Sequence, residues 1–340
     1  DESHFIKSPG AKRTLRILAS AKHAEYRRCL TGTPVANKPF DVYTQVKFLK
    51  ADAWHELGIK TFAAFKTYFG IWETRSTKDG KEFPHCVAFK NLDKMARIVA
   101  KYGSRYTKDE VMPWLPPKLY SKRIVEPTTE QMRVYNDLKH QYLAELAGGA
   151  EVTAPLALVR LLKFQQVLYG YVVDDEGVQH TIPGPKPRLN MLLEEVKELP
   201  HKAIIWSGFH YTIDDICNGL EVSKLPYVWA DGRVTGQDRT EALDRFKYDD
   251  DCQFLVAGTA ALNAGFTLTQ AKSEYYYSNS HNLVHRKQSE DRAHRPGQES
   301  AVNIVDFYTP GLADDNIIKN LVEKNDIASM VTGDTLKDWI

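Results

Sequence analysis

The chain has 340 residues, 43% hydrophobic and 26% charged, with 45 Lys and Arg against 44 Asp and Glu for a net charge of +1. This composition excludes fibrous, collagenous and largely disordered chains, leaves room for two domains, and obliges any polyanion partner to find a local basic surface. No apolar run approaches the roughly 18 residues that cross a bilayer and no basic start leads into an apolar signal segment, so the expectation is an intracellular protein without a membrane partner.

From Asp1 to about Lys122 the pattern is mixed. Lys12–Ala21 and Lys38–Leu49 carry apolar residues at helical spacing, with Leu30 to Pro34 as a loop between them. Pro113–Lys118, with its three prolines, reads as a connector. A helical insert follows, opened by Thr128 with Gln131 three residues on, the spacing of a capping box. Met132, Tyr135, Leu138 and Tyr142 share one face of that helix, and Gly148 and Gly149 stop it. A second helix through Leu156 and Leu168 is apolar over more than half its circumference and is expected to pack on two sides. Gly177–Pro187 reads as a loop or linker.

Beyond it, short apolar runs alternate with amphipathic helices. Strands are expected at Ala203–Trp206, Tyr227–Trp229, Gln253–Ala257, Glu274–Tyr277 and Val302–Tyr308. Helices are expected at Arg188–Leu199, Thr212–Leu220, Gln237–Phe246, Val284–His294 and Asp314–Glu323. Such alternation implies βαβ units and a parallel sheet buried on both faces. Cys29, Cys86, Cys217 and Cys252 stand far apart without a CxxC pair, which disfavours a zinc site or a disulfide framework and suggests buried thiols. The first residue is Asp1 and not Met, so the chain is expected to be cut from something longer.

Three segments carry candidate chemistry. Asp1-Glu2-Ser3-His4 places two acids side by side, a way to hold Mg²⁺ with one carboxylate while the other orients an attacking water; two surface acids are the plainer alternative. Leu30-Thr31-Gly32-Thr33-Pro34 suits a tight loop that hydrogen-bonds its neighbours or a phosphate. Gln288 to Gln298 puts Gln288, Arg292 and Arg295 at i, i+4 and i+7, on one helix face. Two guanidiniums on one face suit a transferring phosphoryl group, or else a solvated basic face with Glu290 and Asp291 as partners. Between Lys7 and Arg28 stand seven Lys or Arg against the single acid Glu25, a band suited to phosphate contacts.

In order and spacing these segments resemble the Swi/Snf-like family of superfamily 2 helicase-related DNA-dependent ATPases. Asp1–His4 is similar to the family's motif II and Leu30–Pro34 to motif III. Arg105–Val111 with Leu115–Lys118 is similar to its RRTKxxV...LPPK stretch, Ala203–Phe209 to motif IV, Gly258–Thr269 to motif V and Gln288–Gln298 to motif VI. Leu262 and Asn263 replace the usual motif V Gly pair, which draws the chain toward annealing-helicase-like or compact bacterial and phage members.

The resemblance implies an α/β fold with part of a first RecA-like lobe (1–125, motifs II and III), a helical insert and linker (126–185), and a complete second RecA-like lobe (186–340, motifs IV to VI). It implies ATP and Mg²⁺ as cofactors and double-stranded DNA as partner, met through its backbone. Asp1 would hold Mg²⁺ through water, Glu2 would act as base, and Arg292 and Arg295 would act as arginine fingers. Gln288 and Gly265 would meet the nucleotide; His4, Thr31, Gly32 and Thr33 would couple it to DNA, which Lys7, Lys12, Arg13, Ser207, Phe209 and Thr267 would contact. No G-x-x-x-x-G-K-[ST] loop is present: Gly80-Lys81 is followed by Glu82, and Lys60-Thr61 is preceded by Ile59. The upstream half of the first lobe is therefore expected elsewhere and the chain is expected to be inactive alone. The alternative is a non-enzymatic DNA-binding or protein-docking module. A prokaryotic or phage-infected cytoplasm, or a nucleus if the source is eukaryotic, is the expected location.

Overall fold

The computed structural model describes residues 1–76, 82–148, 154–262 and 265–332. They form two compact units: one of Asp1–Val111 with Asn282–Val284 and residues 321–332, the other of Met112–His281 with His285–Asn320.

The first unit contains α1 (Lys12–Ala21), α2 (Val42–Leu49), α3 (Phe62–Phe69), β1 (Gly70–Ser76), β2 (Glu82–Phe89), α4 (Leu92–Tyr102) and α5 (Lys108–Val111). Thr61 caps α3 by accepting from the Ala64 N–H at 3.1 Å, and Phe62, Phe65 and Phe69 then recur at helical spacing. Phe65 and Phe69 are fully buried, and Phe65 lies 4.6 Å from Trp54 and 4.9 Å from Tyr43 between ring centroids. Each such ring contributes about 1.5–3 kcal/mol by burial. β1 and β2 form an antiparallel hairpin that the sequence reading does not anticipate; most of its residues are exposed or half-buried, so no apolar alternation marks it.

The second unit runs through β3 (Lys118–Ile124), α6 (Thr129–Gly148), α7 (Ala154–Leu168), β4 (Tyr171–Val173), β5 (Gln179–Thr181), α8 (Pro187–Lys197), β6 (Ala203–Ser207), α9 (His210–Val222), β7 (Tyr227–Ala230), α10 (Gly236–Tyr248), β8 (Phe254–Gly258), β9 (Ser273–Tyr276), α11 (Leu283–Ala293), β10 (Val302–Tyr308) and α12 (Ala313–Thr332). α11 places Leu283 and Val284 in the first unit, and α12 places its residues from Leu321 onward there. Six strands form a parallel sheet in the order β3-β10-β9-β6-β8-β7. Side chains alternate between two cores, as a period of two requires: Ala203, Ile205, Val256 and Tyr275 on one face, Ile204, Trp206, Leu255 and Tyr276 on the other. All five expected strands are present. Tyr275, Tyr276 and Tyr277 are core residues.

The capping box is formed as read: the Thr128 N–H donates to Gln131 Oε1 at 2.8 Å and the Gln131 N–H to Thr128 Oγ1 at 3.1 Å. Gln131 also donates to the Val167 and Leu168 carbonyls at 3.0 and 3.1 Å, tying α6 to the end of α7. β3 pairs along its length with β10, and the units divide between Val111 and Met112. Three expectations are corrected. α7 is packed toward its C-terminal end, while Leu158 and Val159 are about half exposed. The tract 177–187 contains β5, which pairs with β4. Cys217 and Cys252 are buried thiols, but Cys29 and Cys86 are only partly buried.

Arg188, at the start of α8, is 2% exposed. Its guanidinium donates to the Tyr277 and Phe307 carbonyls at 3.0 and 2.8 Å and pairs with Asp314. The carboxylate of Asp314 also accepts from Tyr169 at 3.1 Å.

Candidate functional site

In the first unit the tetrapeptide and the threonine loop are bonded together. The Ser3 N–H donates to the Leu30 carbonyl at 3.0 Å, and Ser3 Oγ donates to Gln45 Oε1 at 2.8 Å. Gln45 in turn donates to the Pro34 carbonyl at 2.7 Å, so α2 holds the loop from beneath. His4 Nδ1 lies 3.1 Å from Thr31 Oγ1 and 3.1 Å from Glu2 Oε2, and Thr31 Oγ1 accepts from the Thr33 N–H at 3.1 Å. Burial lowers the His4 pKa against the opposing charge of Glu2, which favours a neutral ring that bridges carboxylate and hydroxyl. Glu2 takes a left-handed backbone with φ 50°, uncommon for a side chain of its kind. Asp1 is exposed, and its Oδ1 accepts from the Glu2 N–H at 3.0 Å. Gly32 has no atom within 4 Å of where a Cβ would stand, so nothing in the loop's packing demands glycine there.

The basic band near this loop is surface. Lys12 and Arg13 are exposed on α1, Arg13 lies 5.1 Å over the Phe5 ring, and Lys7 is half-buried.

In the second unit the arginine helix α11 and the loop after β8 are stitched together. The Leu268 N–H donates to the Arg292 carbonyl at 2.9 Å, and Arg292 donates to the Phe266 carbonyl at 3.3 Å. Arg295 donates to the Asp291 carbonyl at 2.7 Å and to Thr267 Oγ1 at 3.4 Å, and Gln298 donates to the carbonyls of Thr269 and Ala271 at 3.1 and 2.9 Å. Gly265 has φ 81°, a conformation a side chain would strain. Arg292 is 3% exposed, so its side chain is folded against the loop and not extended, whereas Arg295 and Gln288 are half-buried. Thr267 is exposed.

Of the other expected DNA contacts, Ser207 is fully buried, with its hydroxyl 2.5 and 3.1 Å from those of Thr212 and Ser278. Phe209 is half-buried against Tyr169 and Tyr171, with centroids 5.5 and 6.4 Å away.

The sequence reading misses what holds α11. Arg286 is buried and donates to Asp306 at 2.5 and 2.7 Å, to Glu290 at 2.7 Å and to Asn279 at 2.6 Å, with Tyr276 stacked 3.5 Å away. Glu290 also accepts from Lys118 and Tyr120, both at 2.9 Å. Burial pushes the Glu290 carboxyl up, but Lys118 and Arg286 outweigh it and hold its pKa below the ordinary value. Among the described residues Glu274 nearby has no such cation bonded to it and its Oε1 has no hydrogen-bond partner: burial pushes its pKa up to about 8, and Trp206 and Tyr276 donate to Oε2 at 2.7 and 3.4 Å.

A parallel sheet carrying an arginine helix against a glycine-bearing loop, and an Asp-Glu-Ser-His tetrapeptide bonded through Ser3 and His4 to the segment Leu30–Thr31, define a helicase-like protein. Residues 1–168 match the SNF2-related domain and residues 187–297 the helicase conserved C-terminal domain, and the chain belongs to the SNF2-related family. It is 25% identical over 328 residues to the Xenopus laevis SWI/SNF-related matrix-associated actin-dependent regulator of chromatin subfamily A-like protein 1, covering 95% of this chain and 31% of that protein. It is 26% identical over 343 residues to the Bos taurus DNA annealing helicase and endonuclease ZRANB3, covering 99% of this chain and 29% of that protein. The chain thus spans about a third of the length of these curated relatives. The Sulfolobus solfataricus SWI2/SNF2 ATPase core in complex with dsDNA has a similar fold, with a TM-score of 0.51 at 22% identity over 98% of this chain and 69% of that one. The curated relatives are eukaryotic, and the expected bacterial or phage source gains no support from them. Among the described residues no helix is long and apolar enough to cross a membrane.

Proposed function

We propose that the chain is the C-terminal portion of an ATP-driven motor that moves along double-stranded DNA, its first unit part of one RecA-like lobe and its second unit the other lobe. The observation that carries this reading is His4 Nδ1 standing 3.1 Å from both Glu2 Oε2 and Thr31 Oγ1. It joins a carboxylate able to deprotonate water to a loop able to report on DNA. The adjacent carboxylates of Asp1 and Glu2 are hard oxygen donors, suited to a Mg²⁺ that keeps most of its waters. Bound Mg²⁺ and ATP would supply the phosphoryl group and offset its developing charge. Asp1 would hold the cation through water, and Glu2 would orient the attacking water and take its proton, with His4 fixing the carboxylate.

Arg292 would exchange the Phe266 carbonyl for a phosphate oxygen, and Arg295 would join it. Arginine fingers contribute about 10³- to 10⁵-fold in rate. Gln288 and Gly265 would line the nucleotide. Lys7, Lys12, Arg13 and Thr267 would meet DNA phosphates with little dependence on sequence, in keeping with relatives described as an annealing helicase and as an ATPase core bound to dsDNA. The phosphate-cradling loop would come from outside these residues. The absence of that loop's motif favours the second reading, a DNA-binding or docking module without turnover.

DNA-stimulated ATP hydrolysis, measured on this chain and on a version extended upstream through a phosphate loop, separates them. The motor reading expects turnover only in the extended protein, abolished by Arg292→Ala with DNA binding retained. Turnover by the chain alone, or none by the extended protein, overturns it.

A further inference from the structure

Leu115–Lys118 has no role in the reading above, yet it is bonded to the arginine helix at two points. His294 Nε2 donates to the Pro116 carbonyl at 2.7 Å, and Lys118 Nζ donates to Glu290 and Asp291 at 2.9 and 3.1 Å. The Pro117 carbonyl accepts from the Val302 N–H at 3.1 Å, anchoring the same stretch to β10. Pro116 and Pro117 fix φ, so the direction of the carbonyl that His294 meets is set by the chain. His294 and Glu290 are 7% and 1% exposed, so the bonds they make are shielded from water, while Asp291 is partly exposed.

Their place on the helix matters. Glu290 stands two residues before Arg292, about 200° around the helix from it at 100° per residue, and His294 follows directly after the last helical residue, Ala293. The bonds grip the back of the turn whose front carries the guanidinium. On the front, the Arg292 carbonyl accepts from Leu268 and its side chain donates to the Phe266 carbonyl.

We propose that Leu115–Lys118 is a clamp that sets the position of Arg292, with Lys118 and His294 as positioning residues. The inference rests on reading Arg292 as a group that meets a phosphate. Removing the Lys118 charge leaves Glu290 still bonded to Arg286 and Tyr120, so the fold survives while the grip on the helix loosens.

The test is amide hydrogen exchange on Lys118→Met and Lys118→Arg. In Lys118→Met, protection of the Leu268 amide should fall about 10-fold or more while Ile205 and Val256 in the sheet keep theirs, and Lys118→Arg should restore it. In the protein extended upstream, Lys118→Met should lower kcat for DNA-stimulated hydrolysis with KM for ATP and DNA affinity unchanged within about twofold, as expected when an interaction made only in the transition state is lost. Equal loss of protection at all three amides, or none at Leu268, overturns the clamp. If Leu268 responds as expected but the wild-type extended protein hydrolyses no ATP, the clamp stands and the nucleotide reading falls.

Discussion

Glu274 offers a stability test that needs no ligand. Its carboxyl is fully buried on the central strand β9, and burial raises its pKa from 4.5 to about 8. Between those values the folded chain holds a proton that the unfolded chain releases. Stability must therefore fall as pH rises from about 4.5, and level off above about 8. At about 1.4 kcal/mol for each pH unit, the loss across that window is about 4 to 5 kcal/mol, a large part of a typical domain's stability. Glu274→Gln keeps an acceptor for the Trp206 N–H and cannot ionise. The free energy of unfolding by urea, measured every half pH unit from 5 to 9, should show a wild-type curve descending relative to that of the variant. Parallel curves across the window would refute the reasoning.

Arg286→Met leaves Asp306 and Glu290 buried with fewer partners, and should cost about 3–5 kcal/mol in urea unfolding; adding Asp306→Asn should recover part of that loss. His4, whose pKa burial lowers from 6.5, is neutral in the fold at a pH where the unfolded chain gains a proton. Stability should accordingly drop as pH falls below about 6.5, and His4→Gln should flatten that slope in the same measurement. Replacing Lys12, Arg13 and Arg16 together with Gln should weaken binding to unrelated duplexes alike, and reduce the slope of log affinity against log salt by about 2 to 3 in a fluorescence anisotropy titration.

The sheet of the second unit was legible because its strands are buried on both faces, which leaves runs such as Ala203–Trp206 and Phe254–Ala257 with almost no polar interruption. β3 was not: it lies at the sheet edge, and Leu119, Lys122 and Ile124 face solvent, so Lys-Leu-Tyr-Ser-Lys-Arg reads as polar. Motif order singled out the acid pair, the threonine loop and the arginine helix as candidates. It could not tell a hydroxyl at the surface from one bonded inside the fold, as that of Ser207 is. Arg286 was missed because its partners Asn279 and Asp306 lie seven and twenty residues away, and an Arg among Lys287, Glu290 and Asp291 looks like ordinary surface charge.

Arg188 has a further consequence for the sheet. Pairing between β9 and β10 ends at Tyr276 and Asp306, and the guanidinium takes the next carbonyl on each strand, Tyr277 and Phe307. A side chain thus replaces the rung the backbone does not make, holding the two strand ends at a set gap where they lead into their loops. Only a planar fork spans two carbonyls and a carboxylate at once. Lysine at this position would keep the charge and lose the spacer, letting the strand ends close or drift apart.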